Sequence, residues 1–492
     1  MRLEQVLQGV KLRGELSPGI AERSVAGMEY DSRRVGKDFL FFAFAGSRVD
    51  GRRFARDAMD RGAIAVVSEL GRPEGFAGAW IEVEQGRQAL AIAARNFYDR
   101  VDERVLFTGV TGTNGKTTTA FLIDSIFRAA GLVTGLAGTI EYRIGDEVLH
   151  GANTTPESLD ILRMASEVER RGGARFTMEV SSHALALGRV FGIRFHTAVF
   201  TNLTRDHLDF HHTMEEYAAA KRMLFFPPEG PAPEWSVLNI DDDVSRGFAN
   251  PASRVVWYGL SSKAELTAEK VATGFDGLRF ELRYEGARQV IESALVGEFN
   301  VMNILAAAGA GLSFGIDLET IARGVAACTA VPGRFERVDA GQPFLVAVDY
   351  AHTDDALRNA IQVARRLTSG RVITLFGCGG DRDRTKRPLM GMAAAELSDF
   401  VVLTSDNPRS EDPLDIMNDA MVGIRRFDTP NVAEPDRGKA IRLALQEARA
   451  GDVVLLAGKG HETYQVLKDR TIDFDDRETA WAVLRSLGYG KS

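Results

Sequence analysis

Lys116 lies in the stretch TGTNGKTTT, residues 111–119, where glycines stand at 109, 112 and 115 and threonines follow at 117 and 118. This spacing suits the capture of phosphate. Backbone N–H groups from Gly112 through Thr113, Asn114, Gly115 and Lys116 can surround the oxygens, the ammonium supplies a cation, and Thr117 or Thr118 can hold Mg²⁺. The strict phosphate-loop pattern needs glycine at position 110, which is Val110, so the match is partial. The plainer alternative is a glycine turn with an exposed lysine. A cation at a helix start is unfavourable, however, unless an anion sits there. A second glycine-rich stretch, GCGGDRD at 377–383, lacks the spacing of a dinucleotide site.

The loop needs a strand before it and a helix after it, and the flanking residues supply both. VLFTGV (105–110) is a buried-type apolar run, and AFLIDSIFRAAG (120–131) has helical spacing. A chain of 492 residues exceeds what one core organises, so several domains of ~100–200 residues are expected. Three blocks emerge. In residues 1–98, β-rich runs such as DFLFFAFAG and AIAVVSE alternate with helical GRQALAIAARNFYDR. Residues 99–332 carry the loop and continue through HTAVFTNL and WSVLNIDDD to helical VMNILAAAGAGL, an α/β pattern with a parallel core. PPEGPAPEW, within this block, reads as an exposed loop. In residues 333–492, FLVAVDYA, RVITLFGCGG, DFVVLTSDNPR and DVVLLAGKG are four buried-type strands ending in polar or glycine loops, a Rossmann-like pattern whose ligands should meet those loops.

Composition narrows the classes. With 45% hydrophobic and 26% charged residues the chain is ordinary globular material, with no run approaching the ~20 apolar residues of a membrane span. A net charge of −8 argues against a nucleic-acid surface. The N-terminus has charges scattered among its apolar positions, unlike a secretory signal. Cys328 and Cys378, the only cysteines, fit a reducing compartment, so a cytoplasmic, soluble protein is expected.

The loop, together with NTTPES, MEVSSHALALGRV, TNLTRDHLDFHHT, YAAAKRMLF, GEFNVMNILAA, VPGRFERV, VDYAHT and GKGHETYQ, resembles the Mur ligase family across all three blocks in order. The resemblance implies a three-domain α/β architecture: an N-terminal UDP-sugar domain, a central phosphate-loop ATPase domain with a parallel sheet, and a C-terminal Rossmann-like domain. It implies an ATP- and Mg²⁺-dependent amide ligase working through an acyl phosphate, which explains why a phosphate cradle is present. Its expected acceptor is UDP-N-acetylmuramoyl-L-alanyl-D-glutamate, and the enzyme is expected to be monomeric.

Position by position, the resemblance makes Glu179 and His207 metal ligands with Thr117. Glu179 alone could equally be structural, and His207 alone could simply partner Asp206 or Asp209. Lys221 matches a lysine carrying a carbamate. That is reasonable chemistry, since a desolvated neutral amine reacts with CO₂ and becomes an anion able to bind Mg²⁺. Asn303 and Asp349 match contacts to ATP, and Arg334 a phosphate-reaching arginine, unless it pairs with Glu336. Tyr30, Ser32, Ser47, Arg48 and Val49 match uridine contacts, while Asn153, Thr154, Thr155, Ser181 and Arg189 match contacts to the sugar and peptide. Thr155 also reads as an N-cap with Pro156 at the first helical position. Asp354 stands where the family commonly has proline.

The incoming amino acid is read from SDNPRSEDP. Asp406, Asn407, Pro408 and Arg409 match the tetrad of relatives that add meso-2,6-diaminopimelate, whose extra carboxylate needs a cation. Arg382, Gly458 and Glu462 complete that expected subsite. The alternatives are an L-lysine-adding ligase, a folylpolyglutamate synthetase, or Arg409 pairing only with Glu411 or Asp412.

Overall fold

The computed structural model describes residues 1–45, 49–151 and 153–490; Ser47 and Arg48 lie outside the described residues. The chain folds into two compact units. One is Met1–Thr267, Arg283–Ala287 and Asn303–Gly324; the other is Ala268–Leu282, Arg288–Met302 and Val325–Ser492.

The first unit opens with a parallel sheet of β1 (Gly27–Glu29), β2 (Phe39–Phe42), β3 (Ala63–Ser68) and β4 (Trp80–Glu82), in that order. Strand alternation sends Leu40, Phe42, Ala65 and Val67 to one core with Leu90 and Ala94 of the helix Gly86–Phe97, and Phe41 and Val66 to another with Ala55 and Ala58. The central sheet follows: β5 (Leu106–Thr111), β6 (Thr134–Ala137), β7 (Glu141–Ile144), β8 (Glu147–His150), β9 (Arg175–Glu179), β10 (Phe195–Phe200), β11 (Trp235–Asn239) and β12 (Arg254–Tyr258). From β12 its order is β12-β11-β10-β5-β9-β6-β7-β8, with every pairing parallel except β6–β7 and β7–β8. β5 lies between β9 and β10, so the loops leaving these three strands converge at one sheet edge, where an open parallel sheet takes its ligands. The proline loop is exposed at Pro228–Pro231, but Pro233 is buried.

A meander of β13 (Leu266–Gly274), β14 (Gly277–Tyr284) and β15 (Ala287–Ser293) has its residues divided between the units. The second unit is built on β16 (Glu336–Arg337), β17 (Leu345–Asp349), β18 (Val372–Cys378), β19 (Phe400–Ser405), β20 (Asn431–Glu434) and β21 (Val453–Ala457), ordered β16-β17-β21-β18-β19-β20 with only β16 antiparallel. Helices cover both faces: Leu345, Phe376, Leu403 and Leu455 pack toward the helices Asp354–Leu367, Lys386–Leu397 and Pro413–Ile424, while Val346, Leu375, Val402 and Leu456 pack toward Arg437–Glu447 and Asp476–Ser486. Burial on both faces is why these strands read as unbroken apolar runs. Asp354 is the first residue of its helix, after Thr353, whose hydroxyl accepts from Ala356 N. An acidic first residue suits the helix dipole. A hairpin of β22 (Tyr464–Val466) and β23 (Thr471–Asp473) completes the unit.

Candidate active site

β5 ends at Thr111 and the helix Lys116–Ala129 begins five residues later. The turn between them needs glycine twice. Gly112 has φ +148° and a Cβ there would lie 1.9 Å from Thr201 Oγ1; Gly115 has φ +84° and its Cβ would lie 2.3 Å from Asn303 Oδ1. Thr113 N and Asn114 N donate to Asn202 O and Oδ1 at 2.8 and 3.0 Å, so the loop is braced from the end of β10. The first-turn amides of the helix, with the buried Thr117 and Thr118, then form an end suited to an anion. Lys116 Nζ folds back onto the carbonyls of Gly112 (2.9 Å) and Thr113 (2.8 Å).

A buried carboxylate closes one side. Glu179, at the end of β9, accepts from Thr117 Oγ1 (3.0 Å), Thr139 N (2.7 Å) and Thr139 Oγ1 (3.2 Å). On the other side Lys221, on the helix Met214–Arg222, is buried with Nζ donating to Gly112 O at 2.7 Å and lying 4.3 Å from the Tyr217 ring centre. Burial, and then repulsion from Lys116, hold its pKa well below the usual lysine value, with Asp206 opposing. Both lysines therefore meet the Gly112 carbonyl. His207 (φ +54°) contacts Asp206, at 3.4 Å from Nε2 to Oδ2, and lies 4.9 Å from the His183 ring. Burial lowers its pKa, against the pull of Asp206. Among the described residues no three His, Cys, Asp or Glu side chains gather as a metal site. The oxygen donors Glu179 and Thr117 nevertheless suit Mg²⁺, and Lys221 would add oxygens on carbamylation.

The residues expected at the sugar and peptide fall partly together. Thr155 Oγ1 donates to Glu179 O (2.9 Å) and accepts from Ser181 N (3.0 Å), while Arg189 Nη1 donates to Thr155 O (2.9 Å). Thr155 is thus no N-cap, contrary to the expectation: its hydroxyl bonds across to β9, and the helix Ser158–Arg170 begins after Glu157. Thr154 Oγ1 lies 3.1 Å from Thr139 Oγ1, and Asn153 O accepts from Tyr142 OH (2.6 Å). Ser181 itself caps the helix Ser182–Ala186. Glu157 sits between Arg87 and Arg189, at 3.1 and 3.2 Å. Tyr30 donates to Asp160, Ser32 is buried, and the Val49 side chain is exposed.

In the second unit, Asp349 accepts from Phe335 N (2.8 Å) and Ala351 N (2.9 Å); burial raises its pKa, and Arg334 opposes the rise. Arg334 lies over the Tyr350 ring at 5.6 Å, while Glu336 bonds Gly333 N and Arg477. The loops after β18 and β19 are fastened to each other. Buried Arg387 bonds Glu411 (2.8 Å) and Asp419 (2.9 Å), Asp381 accepts from Ser410, and Gly380 N donates to Asn407 O. The local partners weighed as the alternative for Arg409 are consequently engaged elsewhere, because Glu411 serves Arg387 and Asp412 caps the helix Pro413–Ile424. Arg409 Nη1 instead donates to Gly380 O at 2.7 Å. Pro408 O lies close over Gly380, where a Cβ would come within 1.9 Å of it. Arg382 is exposed, with Nη1 donating to Asp381 O at 3.3 Å.

Sequence reasoning passed over Lys459. It follows Gly458 (φ +116°) and is wholly buried, with Nζ 3.2 Å from Glu462 Oε2, 3.3 Å from Asn407 Oδ1 and 3.5 Å from Asp406 Oδ1. It also passed over Thr139, which holds Glu179, and Asn202, which braces the loop. The lysine inside GKGHE was the one visible signal, since a charge between two glycines has no packing use of its own.

Residues 24–98, 110–311 and 333–460 match, in turn, the Mur ligase family catalytic domain, the Mur ligase middle domain and the Mur ligase glutamate ligase domain. The chain belongs to the Mur ligase family and has its three-domain α/β architecture. It is 62% identical over 490 residues, covering 99% of both chains, to the UDP-N-acetylmuramoyl-L-alanyl-D-glutamate--2,6-diaminopimelate ligase of Solibacter usitatus. With the enzyme of the same name from Geobacillus thermodenitrificans it shares 47% over 466 residues, 94% of this chain and 95% of that one. A solved structure of a ligase of that name superposes with a TM-score of 0.71 at 32% identity over 99% of each chain.

Proposed function

We propose that this chain joins meso-2,6-diaminopimelate to UDP-N-acetylmuramoyl-L-alanyl-D-glutamate with ATP, in cytoplasmic synthesis of peptidoglycan precursor. A carboxylate oxygen of the acceptor attacks the γ-phosphorus of ATP and ADP departs. The amine of the incoming amino acid, having lost its proton, then attacks the acyl carbon, and inorganic phosphate leaves as the amide forms. Within the first unit Lys116 and the amides of Gly115 to Thr118 hold the phosphates. Thr155, Ser181 and Arg189 orient the acceptor, with Tyr30 and Ser32 toward the uridine. Mg²⁺, when bound by Thr117, Glu179, His207 and carbamylated Lys221, would neutralise charge on the phosphoryl group. Asn303, Arg334 and Asp349 are assigned to ATP on sequence resemblance. No described helix is long and apolar enough to cross a membrane.

The observation carrying the choice of amino acid is Arg409. Glu411 and Asp412 are engaged elsewhere, Asp381, which the Arg409 charge reaches, accepts from Ser410, and the guanidinium is held through one nitrogen by a carbonyl, so the rest of its fork suits a ligand carboxylate. Mass spectrometry of the product formed from ATP, Mg²⁺, the UDP-linked dipeptide and a mixture of amino acids tests the proposal. A diaminopimelate tripeptide is expected; a lysine product, or ligation only to a folate, would overturn it.

A further inference from the structure

We propose that Lys459 is a positioning residue that sets amino-acid specificity by balancing charge beneath the subsite, an inference resting on the diaminopimelate reading above. The loops after β19 and β21 and the start of β22 meet around its ammonium. Asp406 and Glu462 both lie within 3.5 Å of it, and the Tyr464 ring lies 5.8 Å away. The Asn407 carboxamide completes the bracket. Its Oδ1 accepts from Val466 N (2.9 Å) and from Lys459 (3.3 Å), so its Nδ2 must face Glu462, and it donates to Oε2 at 2.9 Å. Asn407 and Lys459 thus use the same oxygen of Glu462, and Oε1 carries neither bond.

The neighbouring buried cation, Arg437, cannot substitute for Lys459. Its guanidinium is paired with buried Asp476 and donates to Ala457 O at 3.0 Å. Two carboxylates and one ammonium therefore leave the bracket with one net negative charge, and Arg409 adds one positive charge at the neighbouring loop. A ligand end carrying both an ammonium and a carboxylate is complementary to that pair. Without Lys459 the bracket would hold two uncompensated negative charges, which attract a ligand ammonium but repel its carboxylate. L-Lysine, which has no second carboxylate, would gain relative to diaminopimelate. Packing alone does not account for a cation here, because an apolar side chain fills buried space without a desolvation penalty.

The test compares kcat/KM for diaminopimelate and for L-lysine in the unmutated enzyme, Lys459→Met and Lys459→Met/Asp406→Asn, with Tm and the KM for ATP measured alongside. The single variant should lower the diaminopimelate-to-lysine ratio by about tenfold or more with the KM for ATP unchanged, and the double variant, which restores the net charge, should recover most of that ratio. An unchanged ratio in folded Lys459→Met, or an equal loss in both variants, overturns the inference. If the single variant does not fold, the double variant decides: a retained ratio supports charge balance, and a lost ratio refutes it. A preference for lysine in the unmutated enzyme would instead defeat the functional proposal on which the inference rests.

Discussion

Replacing Arg409 by alanine removes the cation expected at the distal carboxylate of diaminopimelate while leaving its surroundings intact. Glu411 keeps Arg387, Asp412 keeps its bond from Leu414 N, and the backbone bond from Arg409 N to Val466 O remains. Only the Gly380 carbonyl loses a donor, and at a loop water can replace it. A charge-assisted hydrogen bond contributes about 1.5–3 kcal/mol, and a buried carboxylate left unpaired adds about 1–3 kcal/mol. Arg409 is half-buried, so solvent offsets part of both. The expected loss is about 2–4 kcal/mol, or roughly 30- to 1000-fold in kcat/KM for diaminopimelate. Steady-state kinetics with both amino acids, with the KM for ATP as control, measures it. Parallel losses for diaminopimelate and lysine would refute the reasoning, because a guanidinium that reads the extra carboxylate cannot affect both alike.

Lys116→Ala should lower ATP-dependent ligation by about 100-fold or more with Tm nearly unchanged, since it removes a phosphate cation and opens no core cavity; near-normal turnover at saturating ATP would sink the phosphate-loop assignment. Lys221→Ala should be almost inactive and partly rescued by formate, whereas full activity in CO₂-depleted buffer would exclude a carbamate. Hydrogen bonds from Arg387 hold the Glu411 carboxyl down from 4.5 to about 2. A depressed carboxylate contributes stability that is complete above pH 4.5 and lost as pH falls toward 2, so Glu411→Gln should flatten the Tm profile across that window. An unchanged profile would show that the pair adds nothing.

The features legible in the sequence were those that impose a residue type at the position itself, whatever its distance from its neighbours. Parallel strands buried on both faces must be apolar throughout, and the turn after β5 needs glycine where φ is positive and Asn303 or Thr201 presses close, so both left local marks. Lys221 left none: on its helix it is one charge after three alanines, and its burial comes from packing against a loop more than a hundred residues earlier, where it bonds Gly112 O. Only the family resemblance pointed to it.

Where a local reading fails, for Thr155 or for the alternative pairing of Arg409, a distant partner has displaced a near one. Thr155, followed by proline, has the local chemistry of a helix cap, but its hydroxyl bonds to the carbonyl of Glu179 and the amide of Ser181, and the helix starts later. Arg409 has two carboxylates within three residues, yet Arg387, twenty-four positions before Glu411, is buried against one and the helix amides use the other. Lys459 follows the same rule, being held by residues from an earlier strand end together with one of its own loop. A charged side chain in a loop is assigned by competition among all groups that the fold brings within about 3 Å, and burial strengthens whichever pairing excludes water best. Spacing along the chain enters that competition only through the entropy of bringing groups together, which the folded sheets have already met. Side chains in the convergent loops at the ends of β5, β9, β19 and β21 are therefore the ones whose partners depend most on the assembled sheets, and the same convergence concentrates the charges needed for chemistry there.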